Sequence, residues 1–369
     1  MSAITLCKQI YRGAIRMSLI ILIMGSPLLA APTISGLSGS IVDDSTVTIT
    51  SSSSSFGTGP SSVEWLGGKS GAIESGTPGS KFSKTNWDGA NPWPENYPVY
   101  SSSQAHSGSK SIYCNPTSSS WNSILDYQLP SPVTSSGSLF VSTWYRITSS
   151  GSGQWKMNRF TTNNTIVDGT NQLVLFSWTD GTQVCVDPNV VSYTGISPSP
   201  IATQNTWMRI DQYIKAGTSS GSYTLTKYVP GSTKQSATIS SYPTHRSGGS
   251  WNYIIWQNYA GNGLSEAKIY IDDIYISNGS QARVEIGDKS TYTSCTHLEI
   301  QPTSSWSPSS ISFKVNKGSF GSSDAAYLFV VDSSGNASAG YPITFASSYA
   351  SGSDVNAPAK PTGITLTIQ

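Results

Sequence analysis

One stretch, Trp251–Ser277 (WNYIIWQNYAGNGLSEAKIYIDDIYIS), limits what this chain can become more than any other. Its first part, Trp251, Tyr253 and Ile255 with Ile254 and Trp256, is apolar on both faces, too short for a buried helix and rich in β-formers. A turn at Ala260-Gly261-Asn262-Gly263 leads into a second strand, Lys268–Ser277, so the stretch reads as a core hairpin. That second strand carries adjacent carboxylates, Asp272 and Asp273. Neighbours in a strand point to opposite faces. One of the two is therefore expected to face inward, where a bare carboxylate is costly without a partner.

The rest of the chain repeats the theme without the charge. No apolar period of 3.6 residues is visible after the first thirty residues, and only 11% of residues are charged, against about a quarter in ordinary globular domains. Ser, Thr, Asn, 34 Gly and 20 Pro take their place, which favours turns and strands. A net charge of +1 with no basic stripe leaves no electrostatic footprint for nucleic acid. Strands are expected at Thr33–Leu37, Ser45–Thr50, Ser123–Gln128, Leu139–Thr148, Gln154–Phe160, Leu173–Thr179, Gln183–Val186, Thr206–Lys215 and Tyr223–Val229, whereas Val63 to Pro94 reads as loop-rich. Short strands spaced roughly ten to fifteen residues apart, with Gly/Ser/Asn turns between, predict an all-β sandwich or jelly roll.

Lys8, Arg12 and Arg16 precede the apolar run Met17–Leu29, which ends at Ala30-Ala31. That is the pattern of a secretory signal peptide, too short to span a membrane comfortably. A secreted chain, whether extracellular, periplasmic or at the cell surface, is expected, with no membrane span once the signal is removed. Cys114, Cys185 and Cys295 then remain. A Cys114–Cys185 disulfide is plausible in an oxidising compartment, although sequence leaves the pairing open and one cysteine over.

Two resemblances follow from particular segments. SGSKSIYC (Ser107–Cys114), LFVSTWYRI (Leu139–Ile147), NTWMRIDQYIKAG (Asn205–Gly217) and AKIYIDDIYIS (Ala267–Ser277) resemble strands of the concanavalin A-like jelly roll of secreted lectins, glucanases and polysaccharide lyases. Pro32-Thr33-Ile34, the Val47–Thr50 strand and Ser54-Ser55-Phe56-Gly57 resemble the opening of an IPT/TIG immunoglobulin-like domain; SISFKV, AYLFVVDSSG and YPITF, between Ser310 and Phe345, resemble its later strands. The resemblances imply a signal peptide at 1–30, first immunoglobulin-like strands at 31–62, an inserted jelly roll at 63–280, the remaining immunoglobulin-like strands at 281–347 and a Pro/Ser-rich tail at 348–369. Two independent domains after an N-terminal strand pair are the alternative.

Chemistry is sparse. No two carboxylates of the central region stand at i, i+2, so the single-strand acid pair of jelly-roll glucanases is missing. Tyr213-Ile-Lys215-Ala-Gly217 resembles part of the Tyr-x-Lys-x-Gly strand of alginate lyases, which implies Arg209, Tyr213 and Lys215 as catalytic candidates, without the Gln-Ile-His motif of that family. In jelly-roll binding modules a closing strand of this kind often contributes a carboxylate to calcium, which makes Asp272 and Asp273 candidate ligands of a structural Ca²⁺; an aspartate hydrogen-bonded to backbone N–H groups at the sheet edge is the alternative. Nine of the eleven Trp lie between Trp87 and Trp256. Trp87, Trp93, Tyr97, Trp155, Trp251 and Asn258 sit near turn residues and are candidate contacts for sugar faces and hydroxyls, with loop aromatics folding over the core as a lid the alternative. A non-catalytic protein binding a polysaccharide or cell-surface glycan is the leading expectation. A lyase or glycosidase of the same fold, and a structural or adhesive surface protein, are the alternatives.

Overall fold

The alternating and doubly apolar segments become strands. In the computed structural model the residues described are 30–87, 97–114, 124–148, 154–162, 172–178, 181–186, 194–261 and 267–346; the expected signal peptide and the tail lie outside them. In chain order the strands are β1 (Gly36–Ser38), β2 (Thr46–Thr50), β3 (Ser62–Leu66), β4 (Val99–Ser101), β5 (Ser111–Cys114), β6 (Leu125–Val133), β7 (Ser138–Ile147) and β8 (Gln154–Thr161). They continue with β9 (Leu173–Trp178), β10 (Gly181–Val186), β11 (Thr194–Gly195), β12 (Met208–Lys215), β13 (Gly221–Tyr228), β14 (Gln235–Tyr242), β15 (Trp251–Gly261) and β16 (Ile269–Asn278). The last six are β17 (Arg283–Gly287), β18 (Leu298–Gln301), β19 (Thr303–Ser307), β20 (Ser310–Lys314), β21 (Ala326–Val331) and β22 (Tyr341–Ile343). Among the described residues no helix is long and apolar enough to cross a membrane.

β4 to β16, with β3, make the larger sandwich. One sheet has the order β11-β10-β9-β8-β15-β6; the other runs β14-β13-β12-β7-β16-β5-β4, with β3 also pairing with β16. The chain crosses between the sheets again and again (β6 to β7 to β8, β11 to β12, β14 to β15 to β16), which is the winding of a jelly roll. For this reason the Trp251–Ser277 stretch is not a hairpin: β15 and β16 lie in opposite sheets. Between the sheets pack Val141, Tyr145, Ile210 and Ile214 with Trp155, Phe160, Ile254 and Trp256. A polar chain threads this core: Tyr145 Oη and Gln212 Nε2 donate to Asn158 Oδ1 at 2.7 and 2.9 Å, and Tyr223 Oη donates to Gln212 Oε1 at 2.6 Å. Each buried polar group in the chain thus removes another's desolvation cost.

Some strands escape a reading by apolar pattern. β3 hides in the segment read as loop, and β14 (QSATISSY) is an exposed edge strand of hydroxyls. The proposed Cys114–Cys185 disulfide does not form. Both are buried and not bridged to each other, Cys114 in the sheet containing β5 and Cys185 in the opposite one.

The smaller sandwich is built from both ends of the described chain. One sheet runs β1-β2-β20-β19 and the other β18-β17-β21-β22. β2 lies antiparallel to β20 with Thr46 opposite Lys314 and Thr50 opposite Ser310. Val47, Ile49 and Phe56 share one core with Val284, Ile286, Ile311, Phe313 and Leu328. Removing residues 31–62 strips two strands from one sheet and uncovers Ile311 and Phe313. A chain beginning at Val63 is therefore expected to unfold at a lower temperature and to be cleaved first within 281–346 under limited proteolysis. An unchanged cleavage pattern would contradict the shared core.

Candidate functional site

The two sandwiches meet on the outward face of the larger one. Along β12 the even positions Met208, Ile210 and Ile214 enter the core, so Arg209, Asp211, Tyr213 and Lys215 fall on the other side. Strand register then lays out rows across this face: Trp144, Arg209 and Tyr228; Ser142, Asp211, Thr226 and Ser236; Phe140, Tyr213, Thr224 and Thr238. In β17, Val284 and Ile286 fill the smaller core, which leaves Arg283 and Glu285 for the opposite face. Ile300 from β18 packs with Phe140 and Tyr275, with Val63, Trp65 and Tyr213 around them.

The first row is sealed by ions. Arg209 Nη2 donates to Asp211 Oδ2 at 2.9 Å and to Glu285 Oε1 at 3.0 Å, and its Nη1 donates to the Leu298 carbonyl at 3.2 Å. Arg283 Nε donates to the same Glu285 oxygen at 2.6 Å, while its other nitrogens donate to the Gln281 carbonyl and Tyr292 Oη, both at 2.9 Å. Arg209 and Glu285 are buried. Burial alone would raise the Glu285 pKa, but Arg209 and Arg283 hold it well below the usual carboxylate range.

Beyond this seal the junction opens into a cleft of about 230 Å³. Phe140, Tyr213 and Tyr292 supply rings, and Thr224, Thr226 and Ser236 hydroxyls, with Gln281, Arg283, Asp211 and Lys234 completing the lining. Thr226 and Ser236 are hydrogen-bonded at 2.8 Å, as are Thr224 and Thr238. Lys234 Nζ lies 3.3 Å from the centroid of Tyr292, a cation–π placement. Among the described residues it has no ion-pair or hydrogen-bond partner, and burial pushes its pKa down to about 8, with Arg283 and Arg209 acting in the same direction against Glu285. Asp211 Oδ1, in the same lining, also has no hydrogen-bond partner.

The residues singled out from sequence fare differently. Arg209, Tyr213 and Lys215 share a face as expected from their spacing, but only Tyr213 reaches the cleft; Arg209 is locked in the ion network and Lys215 is exposed. Trp87, Trp155 and Trp251 are core residues. Trp87 is 1% exposed, stacks on Trp256 with ring centroids 5.4 Å apart, and donates its Nε1 to Glu64 Oε1 at 2.9 Å. Trp155 packs edge-on against Tyr145, and Trp251 packs against Phe160 and His245. These three are corrected from ligand contacts to packing. Tyr97 is exposed. Trp93 lies outside the described residues, as does the Asn258 side chain.

Asp272 and Asp273 are corrected too. A bulge in β16 between Asp272 and Tyr275, with Asp273 at φ 42°, breaks the alternation, so both carboxylates reach the His106–Ser107 loop. Asp272 Oδ2 accepts from the backbone N–H of His106 at 2.8 Å and of Ser107 at 3.3 Å, and Oδ1 from Asp273 N at 2.9 Å. Asp273 Oδ1 accepts from Gly68 N and Ser107 Oγ, both at 2.8 Å, and Oδ2 meets His106 Nδ1 at 2.8 Å. Calcium takes six to eight oxygens. Here all four oxygens already face N–H or O–H donors, which does not fit that ion.

No protein-family model and no curated protein matches the sequence. Solved structures similar to it include an alginate lyase from Aplysia kurodai (12% identity, covering 48% of this chain and 86% of that one, TM-score 0.37). Others are lectin II from Ulex europaeus (10%, 60% and 100%, TM-score 0.37) and the cellulose-induced protein Cip1 (15%, 53% and 92%, TM-score 0.36).

Two outcomes follow from this geometry. Trp87→Ala should destabilise the fold by about 3–5 kcal/mol, as for a large core side chain, measured by urea unfolding; a neutral effect would return Trp87 to the ligand contacts. Glu285→Gln should cost about 3–5 kcal/mol at neutral pH by leaving buried guanidinium groups short of charge. Because the folded pKa of Glu285 is depressed, its contribution is complete above the unfolded value of about 4.3 and lost as pH falls through the folded one. The variant should therefore show a flatter acid limb of stability below about pH 4 than the parent.

Proposed function

We propose that this is a secreted, non-catalytic glycan-binding protein that holds a sugar ring in the junction cleft, with the smaller, immunoglobulin-like sandwich as the second wall. The observation that carries the reading is the pair of unsatisfied groups in one lining, the Lys234 ammonium and Asp211 Oδ1, set among the rings of Phe140, Tyr213 and Tyr292. The partly exposed Tyr213 ring can stack on the C–H face of a pyranose, Phe140 lying under Arg283 and Tyr292 under Lys234, while an open donor, an open acceptor and nearby hydroxyls meet its O–H groups. At about 230 Å³ the cleft suits a single ring, a terminal or kinked unit of a longer chain.

A polysaccharide lyase is the weaker alternative. It needs a free neutraliser for the uronate and a basic tyrosine. Arg209 is spent on Asp211 and Glu285, and burial raises the Tyr213 phenol, with Ser138 opposing.

Binding to a polysaccharide panel, without release of reducing or unsaturated ends, is the expected result. Tyr213→Ala and Lys234→Met should each weaken binding at least tenfold while leaving the unfolding midpoint within a few degrees, as measured by calorimetry. Affinity should hold up to neutral pH and fall as pH rises through about 8, where Lys234 loses its proton. Glycan binding unchanged in both variants would remove the cleft from the account. Silence on every glycan would favour a structural role.

A further inference from the structure

The charges around the cleft do not balance. Three cations, Arg209, Arg283 and Lys234, act on one another there with two carboxylates, Asp211 and Glu285. Both guanidinium groups are taken up. Arg209 holds Asp211 and Glu285, and Arg283 holds Glu285, the Gln281 carbonyl and Tyr292 Oη. Lys234 is the cation left over. Its ammonium lies on the Tyr292 ring, and a ring face stabilises a cation without neutralising it. A further positive group, the exposed Lys215, shares the outward face of β12 with Tyr213, its Nζ 5.8 Å from the centre of that ring.

We propose, resting on the glycan reading of this cleft, that its ligand is an acidic sugar, a ring carrying one carboxylate or one sulfate ester that Lys234 neutralises. A neutral ring would displace the water around the ammonium and leave its charge unpaired, which is costly. An anionic group removes that cost and gains charge-assisted hydrogen bonds. One surplus charge calls for one anion per ring. An ammonium is a point charge with three rotatable donors, so carboxylate and sulfate oxygens both suit it. Asp211 does not oppose this. Its charge is held by Arg209, and its open Oδ1 suits a ring hydroxyl. Asp211 belongs to β12 and Lys234 immediately precedes β14, so β13 separates the strands that carry them. Two strand spacings are roughly 9–10 Å of backbone. A ring over Thr226 of β13 has the acceptor on one side and the ammonium on the other.

The test uses the full chain with polygalacturonate and a sulfated galactan as acidic probes and carboxyl-reduced polygalacturonate as the neutral one. An acidic probe should bind at least tenfold more tightly than the neutral one at low ionic strength, and salt should shrink the ratio. Lys234→Met should bring the ratio to within twofold of one, whereas Lys234→Arg should keep it. Binding of the acidic probe between pH 8 and 9 should also take up a proton, read by calorimetry in buffers of different ionisation heat. An anion beside Lys234 raises a pKa that burial has lowered to about 8; Glu285, Asp211, Arg209, Arg283 and Tyr292 are the titratable groups around it. A preference for polygalacturonate assigns the carboxylate, and one for the sulfated galactan the ester. Equal binding of acidic and neutral probes, still weakened by Tyr213→Ala, would overturn the acidic ligand and leave the glycan reading standing. A preference that survives in Lys234→Met would overturn the part given to Lys234. Binding of none of the three probes would also overturn the acidic ligand, and the glycan reading falls with it only if the wider panel is silent.

Discussion

The contact on which the rest of the structure depends is the bridge from Arg209 to Glu285. Each of these charges would be expensive to bury alone. Arg209 lies on the outward face of the larger sandwich and Glu285 on that of the smaller; each has a counter-charge on its own strand, Asp211 and Arg283, and the bridge joins the two pairs. Arg283 and Asp211 extend the network on both sides. Interfaces between domains of one chain usually permit relative motion. Here sliding the sandwiches apart would break the Arg209–Glu285 pair and the bond from Arg209 to the Leu298 carbonyl, so the network sets their orientation as well as their contact. The cleft is the edge of this contact, and its shape depends on the ions that hold the seal.

The same logic accounts for the bulge at Asp272 and Asp273. A regular strand would send one carboxylate into the apolar core beside Ile271 and Ile274. The bulge, with Asp273 in a left-handed conformation, brings both to one loop whose N–H groups satisfy them. A left-handed non-glycine residue and a broken ladder are costs, offset by six donor contacts in the described structure.

What the sequence revealed follows from what alternation can and cannot encode. The strands were legible because one face of each is apolar: LFVSTWYRI and MRIDQYIK follow the pattern to within a few residues. The all-β class followed directly. β14 was invisible because its hydroxyl-rich edge carries no apolar period, and β15 with β16 was misread because alternation says nothing about which sheet a strand joins. Trp87 stands among turn-forming neighbours in the sequence, and a turn can fold a ring into a core as easily as out of it. The seal was half written in the sequence. Arg209-x-Asp211 and Arg283-x-Glu285 each put alternating charge opposite an apolar strand face, and a strand with a charged but buried outer face needs a partner of the same kind.

That last point bears on why the candidate sites lie where they do. The outward face of a sandwich sheet is normally solvated, and its side chains find water. Covering it with a second sandwich removes that water, and each polar group must then find a protein partner or stay unsatisfied. Rows one and two of this face show both outcomes: Arg209 is engaged through both terminal nitrogens but not through Nε, Asp211 is engaged by one oxygen only, and past them Lys234 and the Thr and Ser hydroxyls are left at the rim. Incomplete coverage therefore produces a place with rings, open donors and open acceptors without any loop having to be shaped for it. The arrangement explains how a chain with so few charged residues can still concentrate chemistry in one region: Arg209, Asp211, Lys234, Arg283 and Glu285 meet where the larger and the smaller sandwich touch.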